Sequence, residues 1–357
     1  MTRHLRPAPD PPLQISSQRS AAPQRVRLDL NESAYGPLPS LARALTDAVP
    51  SLNRYPEFLP HRTRRTIAGH LGVDDDAVTV GPGATGVLAA ALHCAVRHGA
   101  RRGVSSPELL TPIPTFGGYP ILAGSLGLRL RGVSLDVRGR PDLQKLYERV
   151  GPETVAVAVC SPHNPTGAVL DCSELLDFCT ALPDDVTVII DQAYLEFSDT
   201  APDLAELLAA HSRVVAVRTF SKAHGLAGLR VGYGVGPIPL IDELRSHEVP
   251  FAVGSLAELA VPLTLDLSDE LSERVRRMRI ERRYLATRLR AVGANALPSQ
   301  ANFLFLPGAE GVALGEILGA CGISVTPYRP HGLRITIGDR YDTERVIRTL
   351  ETVAASA

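Results

Sequence analysis

The 357-residue sequence predicts an α/β fold: a large domain with a mainly parallel sheet between helices, followed by a smaller α+β domain. Three observations carry this. Short runs that are apolar almost throughout (AVTVG 77–81, ETVAVAVCSP 153–162, VTVIIDQAY 186–194 and VVAVRTF 214–220) alternate with helical stretches such as ATGVLAAALHCAV and SELLDFCTAL. Strands buried on both faces and separated by helices make parallel sheets. Motif-bearing turns follow these strands, where ligands of such sheets bind, and the sheet pattern stops after Gly236. The length exceeds one minimal core and accommodates a large domain plus a small one.

In chain order, residues 1–25 are rich in proline, serine, glutamine and arginine without a period, and read as a mobile arm. Residues 26–50 read as an N-terminal segment joining the small domain: a short alternating strand, a turn at Tyr35-Gly36-Pro37, then a helix capped by Ser40. The large domain is read as 51–240. It opens on the extended Asn53-Arg54-Tyr55-Pro56 and a basic helix from His61 to Leu71. The small domain is read as 241–357, with strands at 301–306 and 333–337 and a long helix through SDELSERVRRMRIERRYLATRLRAVG. The arginines of that helix read as a solvated face with acidic partners four residues away.

Lysine plus arginine (37) nearly cancel aspartate plus glutamate (38), so no charge excess points to nucleic acid or an anionic membrane. Five scattered cysteines without a C-x-x-C pair argue against a disulfide framework or a zinc knuckle, and no metal site is expected. No apolar run spans a bilayer, and the N-terminus lacks the apolar core of a signal peptide. A cytoplasmic setting is expected, with small molecules and other copies of the chain as partners.

Lys222 leaves the end of VVAVRTF, with Thr219 and Ser221 beside it and Arg230 eight residues on, among Gly225, Gly228, Gly232 and Gly234. A solvated loop position is the ordinary fate of a lysine. Here the setting offers an amine to a carbonyl beside an anion cradle, the pair that pyridoxal phosphate needs. Asp191 follows VTVII, a run apolar but for Thr187, and a carboxylate there is costly unless it meets a cation, such as a protonated pyridine nitrogen. Asn164 lies in the turn SPHNPTG, Tyr194 follows Asp191 by three, and Phe116 is available to stack on a ring. GPGATG (81–86) follows a strand and opens a helix, so a nicotinamide dehydrogenase is the rival. That reading needs an acidic residue ending the next strand. Glu108 stands near the place, but RRGVSSPELLTPIPTF makes a poor strand. Both readings share a helix N-terminus that holds a phosphate.

LDLNESAYGP, RYPE, SPHNPTG, IIDQAYLEF, TFSKAHGLAGLRVGY, ANFLFLP and GLRITIG, in this order, resemble the fold-type I pyridoxal-phosphate aminotransferases, in the histidinol-phosphate and aromatic aminotransferase branch, from about Leu28 to the C-terminus. The resemblance implies that Lys222 forms the internal aldimine and moves the substrate proton, and that Asp191 pairs with the pyridine nitrogen. Tyr194 and Asn164 would hold the phenolic oxygen. Ala84, Thr85, Ser221 and Arg230 would bind the phosphate, and Ala193 and Phe116 would sandwich the ring. Tyr55 would reach the phosphate from a partner subunit, which implies a homodimer with shared sites. Arg334 would clamp the substrate's anionic group, with Tyr35 and Arg329 also assigned to substrate binding.

The sequence departs from this family in its substrate site. In GISVT, Thr326 stands where relatives acting on histidinol phosphate carry an arginine, and Arg329 is the candidate to compensate. The family's N-terminal Thr-Pro-Tyr segment is not recognisable, Gln192 replaces a glutamate, His163 an asparagine, and PFAVGS lacks two asparagines. The expected activity is ping-pong transfer of an amino group between an amino acid, or a histidinol-phosphate-like amine, and a 2-oxo acid. The alternatives are another reaction of the same cofactor, such as the decarboxylation of the related threonine-phosphate decarboxylases, and the nicotinamide dehydrogenase.

Overall fold

The computed structural model describes residues 25–354; the expected arm, 1–25, lies outside the described residues but for Arg25. The first half contains β1 (Val26–Arg27), α1 (Pro39–Ala48), α2 (His61–Leu71), β2 (Val78–Pro82), α3 (Gly83–Arg101), β3 (Glu108–Ile113), α4 (Gly118–Ser125) and β4 (Arg129–Ser134). Then come α5 (Leu143–Arg149), β5 (Thr154–Cys160), α6 (Cys172–Ala181), β6 (Thr187–Asp191), α7 (Leu204–Ala210), β7 (Val214–Thr219) and β8 (Val231–Val235). The remainder is α8 (Ile238–Arg245), α9 (Ser255–Asp266), α10 (Ser268–Ala291), β9 (Phe303–Pro307), α11 (Gly308–Ala320), β10 (Ile323–Ser324), β11 (Thr326–Tyr328), β12 (Gly332–Thr336) and α12 (Arg340–Ala354).

Seven strands form one sheet in the order β2-β8-β7-β6-β5-β3-β4. The pairs from β7 through β4 are parallel, and β8 runs antiparallel to both of its neighbours. All residues of β5 and β6 are buried, as their apolar runs require. Their side chains feed two cores, one on each face: Ala156, Ala158 and Ile189 pack with α3 and α8, while Val157, Val159 and Ile190 pack with α6 and α7. Fully burying one such aliphatic side chain is worth about 1.5–3 kcal/mol, so this sheet is the stiff platform of the molecule.

A three-stranded antiparallel sheet, β11-β12-β9, and a two-stranded parallel pair, β1 with β10, make the second unit. Its core joins Val26 and Leu28 from the N-terminal segment to Val275, Met278 and Leu285 of α10 and to Phe303, Ile335 and Val346.

Three expectations need correction. The helix after the Tyr35 turn begins at Pro39 with Leu38 at its cap, so Ser40 is not the cap: proline at the first turn needs no hydrogen-bonded N–H. The stretch around Glu108 is a strand, and β4 beside it was missed. Val253, Ala257, Ala260 and Val261, in and just before α9, pack with Val78, Val80 and Val231 of the large sheet. The arginines of α10 do not all face solvent. Arg276 and Arg277 pair with Glu273, but Arg274 and Arg282 are buried and donate to the carbonyls of His224 and Ala301.

Candidate active site

The topology brings the predicted motifs to one edge. β2 and β7 both run antiparallel to β8, so β2, β3, β5, β6 and β7 all end on the same side, and β8 begins there. Gly83, Ser161, Asp191 and Ser221-Lys222 follow those strand ends, and Arg230 immediately precedes β8. Glu108 lies at the opposite end, at the start of β3, where it pairs with Arg129 and Arg131. A ribose-binding acid must end its strand, so the nicotinamide reading fails on geometry.

α3 starts at this edge without a side-chain cap, leaving its first amides for a ligand. Gly83 has φ 74°, and a Cβ there would collide with the Arg230 guanidinium; one on Gly232 would collide with the amide nitrogen of Ala84. The two glycines therefore let the α3 amides, β8 and Arg230 converge. Arg230 Nη1 donates to Ser221 Oγ at 3.3 Å, and Ser221 Oγ accepts from Thr219 Oγ1 at 3.0 Å. Thr85 is exposed on the first turn beside Ala84. Helix-start amides, a hydroxyl and a guanidinium brought together in this way make an anion cradle.

Asp191 is 4% exposed. Its carboxylate accepts from Ala193 N at 3.0 Å and from the Tyr119 hydroxyl at 3.2 Å, and no ion pair joins it among the described residues. Burial pushes its pKa up to about 6. A cation placed opposite the carboxylate would draw that pKa back down. The Tyr194 hydroxyl accepts from Asn31 Nδ2 at 2.9 Å and Asn164 Nδ2 at 3.3 Å, which leaves its own proton to donate. Burial raises its pKa. Phe116 is half-buried and meets Tyr119 edge-on at 5.7 Å.

Lys222 is one of only two lysines in the chain; the other, Lys145, pairs with Asp142 on α5. The Lys222 Nζ donates to the carbonyls of Leu30 and Asn31, each at 3.0 Å, and lies 5.8 Å from the Tyr194 ring centre. Burial first, then the Arg334 charge, pushes its pKa down to about 8. Asn31 holds the N-terminal segment against this amine in a left-handed conformation (φ 52°), fixed by Thr336 and Asn302.

Arg334, 6% exposed, is gripped by neutral oxygens. Nη1 donates to Asn164 Oδ1 at 2.7 Å and the Tyr328 hydroxyl at 3.1 Å; Nη2 donates to Thr326 Oγ1 at 3.1 Å and the carbonyl of Asp29. Arg329 does not join this group: it is exposed and pairs with Glu316 on α11 at 2.7 Å. Tyr35 is half-buried with Glu281 and Asp339 as its acidic neighbours, and its backbone N–H donates to Ser33 Oγ. Tyr55 is 83% exposed and stacks against Phe251 at 4.7 Å.

The two departures beside the cofactor residues have local partners. Gln192 Oε1 accepts from Arg218 Nε at 2.8 Å, and buried His163 bonds the carbonyl of Pro114 while burial pushes its pKa down to about 4. Sequence reasoning missed Asn31, Tyr119 and Tyr328 as members of the site. Asn31 stood inside a quoted motif, whereas Tyr119 and Tyr328 carry no local signal.

The residues present fit pyridoxal phosphate: a buried carboxylate that no described residue ion-pairs with, a hydroxyl with a proton to give, an anion cradle and an amine of depressed pKa lie at one edge of the sheet. A family model described as aminotransferase class I and II matches residues 23–350. The aromatic amino acid aminotransferase of Cutibacterium acnes is 38% identical over 328 residues, covering 91% of each chain. That of Corynebacterium jeikeium is 37% identical over 344 residues, covering 93% of this chain and 89% of its own. The histidinol-phosphate aminotransferase of Sinorhizobium meliloti, solved in complex with pyridoxal 5'-phosphate, superposes with a TM-score of 0.82 at 25% identity, covering 93% of this chain and 91% of that one. With the family matched over nearly its whole length and the cofactor's requirements met at one sheet edge, this chain belongs to the class I and II aminotransferases and is a pyridoxal-phosphate-dependent transaminase.

Proposed function

We propose that the enzyme transfers the amino group of an aromatic amino acid to a 2-oxo acid by a ping-pong mechanism, as a cytoplasmic homodimer. The observation that carries the substrate reading is the setting of Arg334: one buried guanidinium, held by neutral oxygens, with Thr326 rather than a second cation beside it and Arg329 turned away. One planar fork suits one carboxylate, and a phosphate dianion lacks its second partner here. Both relatives named above act, by their names, on aromatic amino acids. The aromatic patch of Tyr55, Phe58 and Phe251, exposed on one chain, supports the homodimer, with Tyr55 reaching the partner's phosphate cradle. Among the described residues no helix is long and apolar enough to cross a membrane.

Pyridoxal phosphate supplies an electron-withdrawing ring that lets the substrate α-carbon lose its proton. Asp191 would keep the ring nitrogen protonated, while Tyr194 and Asn164 would hold the phenolic oxygen. The first amides of α3 at Ala84 and Thr85, with Ser221 and Arg230, would hold the phosphate, and Ala193 and Phe116 would confine the ring. Lys222 Nζ would take the α-proton, a task suited to an amine whose pKa lies near the working pH, and Arg334 would orient the substrate by its carboxylate.

Single-turnover half-reactions with phenylalanine, tyrosine, tryptophan, aspartate and histidinol phosphate test the reading. An aromatic amino acid should give the highest specificity. Thr326→Arg should shift the ratio toward the phosphate ester by about ten- to a hundredfold, the worth of one charge-assisted hydrogen bond. Preference of the unmodified enzyme for histidinol phosphate over every amino acid would overturn it.

A further inference from the structure

Thr326 and Tyr328 are alternate residues of β11, so their side chains share a face. β11 pairs antiparallel with β12, and Thr326 stands directly opposite Arg334. The two side chains grip the guanidinium from one strand, Thr326 Oγ1 on Nη2 and the Tyr328 hydroxyl on Nη1, each at 3.1 Å. Thr326 is itself anchored, donating to the Asp29 carbonyl at 2.6 Å. The Tyr328 ring lies 5.6 Å from Arg334 Cζ and meets Phe305 edge-on at 6.2 Å, so its hydroxyl is set by packing. That hydroxyl donates to Asn164 Oδ1 across 3.3 Å, a long bond, while Asn164 Oδ1 already takes a shorter one from Arg334. The Tyr328 proton is thus weakly committed beside the nitrogen that faces Asn164, and a stronger acceptor can claim it.

We propose that Tyr328 is a specificity-determining residue that donates its hydroxyl proton to the substrate carboxylate received by Arg334, with Thr326 as the positioning residue that keeps the fork in register. The inference rests on the reading that Arg334 takes the carboxylate. Substrate would then be held by a cation and a neutral donor. A monoanionic carboxylate with two oxygens is satisfied by that pair, whereas a phosphate monoester keeps a charge unmet. The same strand supplies both groups, so selection for the carboxylate belongs to β11 rather than to Arg334 alone.

The test uses the cofactor-loaded enzyme and two non-reacting probes, 3-phenylpropionate and its alcohol 3-phenylpropan-1-ol, with dissociation constants from calorimetry. Tyr328→Phe keeps the ring and its contacts. It should weaken 3-phenylpropionate by about tenfold and leave the alcohol within about twofold. Thr326→Val should weaken the carboxylate likewise, since the fork loses its anchor. Equal weakening of both probes would mean that the two side chains only support the fold, and unchanged carboxylate binding would mean that Tyr328 makes no such bond; either overturns the proposal. Butyrate and butan-1-ol, measured in parallel, separate this from the aromatic reading. If the wild type prefers the phenyl compounds no more than the butyl ones, the aromatic assignment fails while the carboxylate-to-alcohol difference at Tyr328 still stands or falls on its own.

Discussion

Burial acts in opposite directions on the two charged side chains at the ends of β6 and β7. It raises the Asp191 pKa to about 6 and lowers that of Lys222 to about 8, drawing both toward neutrality before any cofactor is present. With two lysines in the chain, reductive methylation with 13C-formaldehyde yields two lysine signals. In the cofactor-free protein the Lys222 signal should titrate near pH 8: protonated below, a free nucleophile above. The Lys145 signal should titrate above the ordinary lysine value, because Asp142 stabilises its charged form. Coincident titration of the two would show that Lys222 is not desolvated. Asp191 and Lys222 were legible because a charged residue at the end of an apolar strand needs a purpose, and Asn164 and Tyr194 because they lie in the turns that follow such strands. Asn31 and Tyr328 were not, since their roles depend on a left-handed backbone and on cross-strand pairing of β11 with β12.

Among the elements, the strands of the large sheet that could be read were β2, β5, β6 and β7, whose nearly unbroken apolar runs leave no other placement. β3 escaped because it contains Pro112 in the sheet interior, a residue that cannot donate to a ladder and argues against a central strand. β4 escaped as a largely exposed edge strand of arginines and small residues. The two-residue partners β1 and β10 are too short to leave a pattern, yet they tie the N-terminal segment to the second unit. The partner of α9 was hidden for a similar reason: an apolar face on a helix does not say which sheet covers it. The anion cradle was visible as GPGATG, but choosing between two cofactors required knowing which end of β3 carries Glu108.

At the scale of the whole molecule, the exposed Tyr55, Phe58 and Phe251 form a patch that one chain leaves uncovered. Aromatic residues are enriched where protein surfaces meet, and a homodimer that shares its sites would use this one. Co-expressing a Lys222→Ala chain with a Tyr55→Ala chain should restore activity in mixed dimers, because one of the two sites then carries both good residues. Mixed dimers that form without recovery would assign Tyr55 to its own chain. The central claim, that one half-buried strand-end lysine carries the cofactor and the chemistry, is tested most directly by borohydride reduction of the loaded enzyme followed by peptide mapping. The pyridoxyl group should be found on the peptide containing Lys222. Its recovery on Lys145, or on neither lysine, would contradict the account.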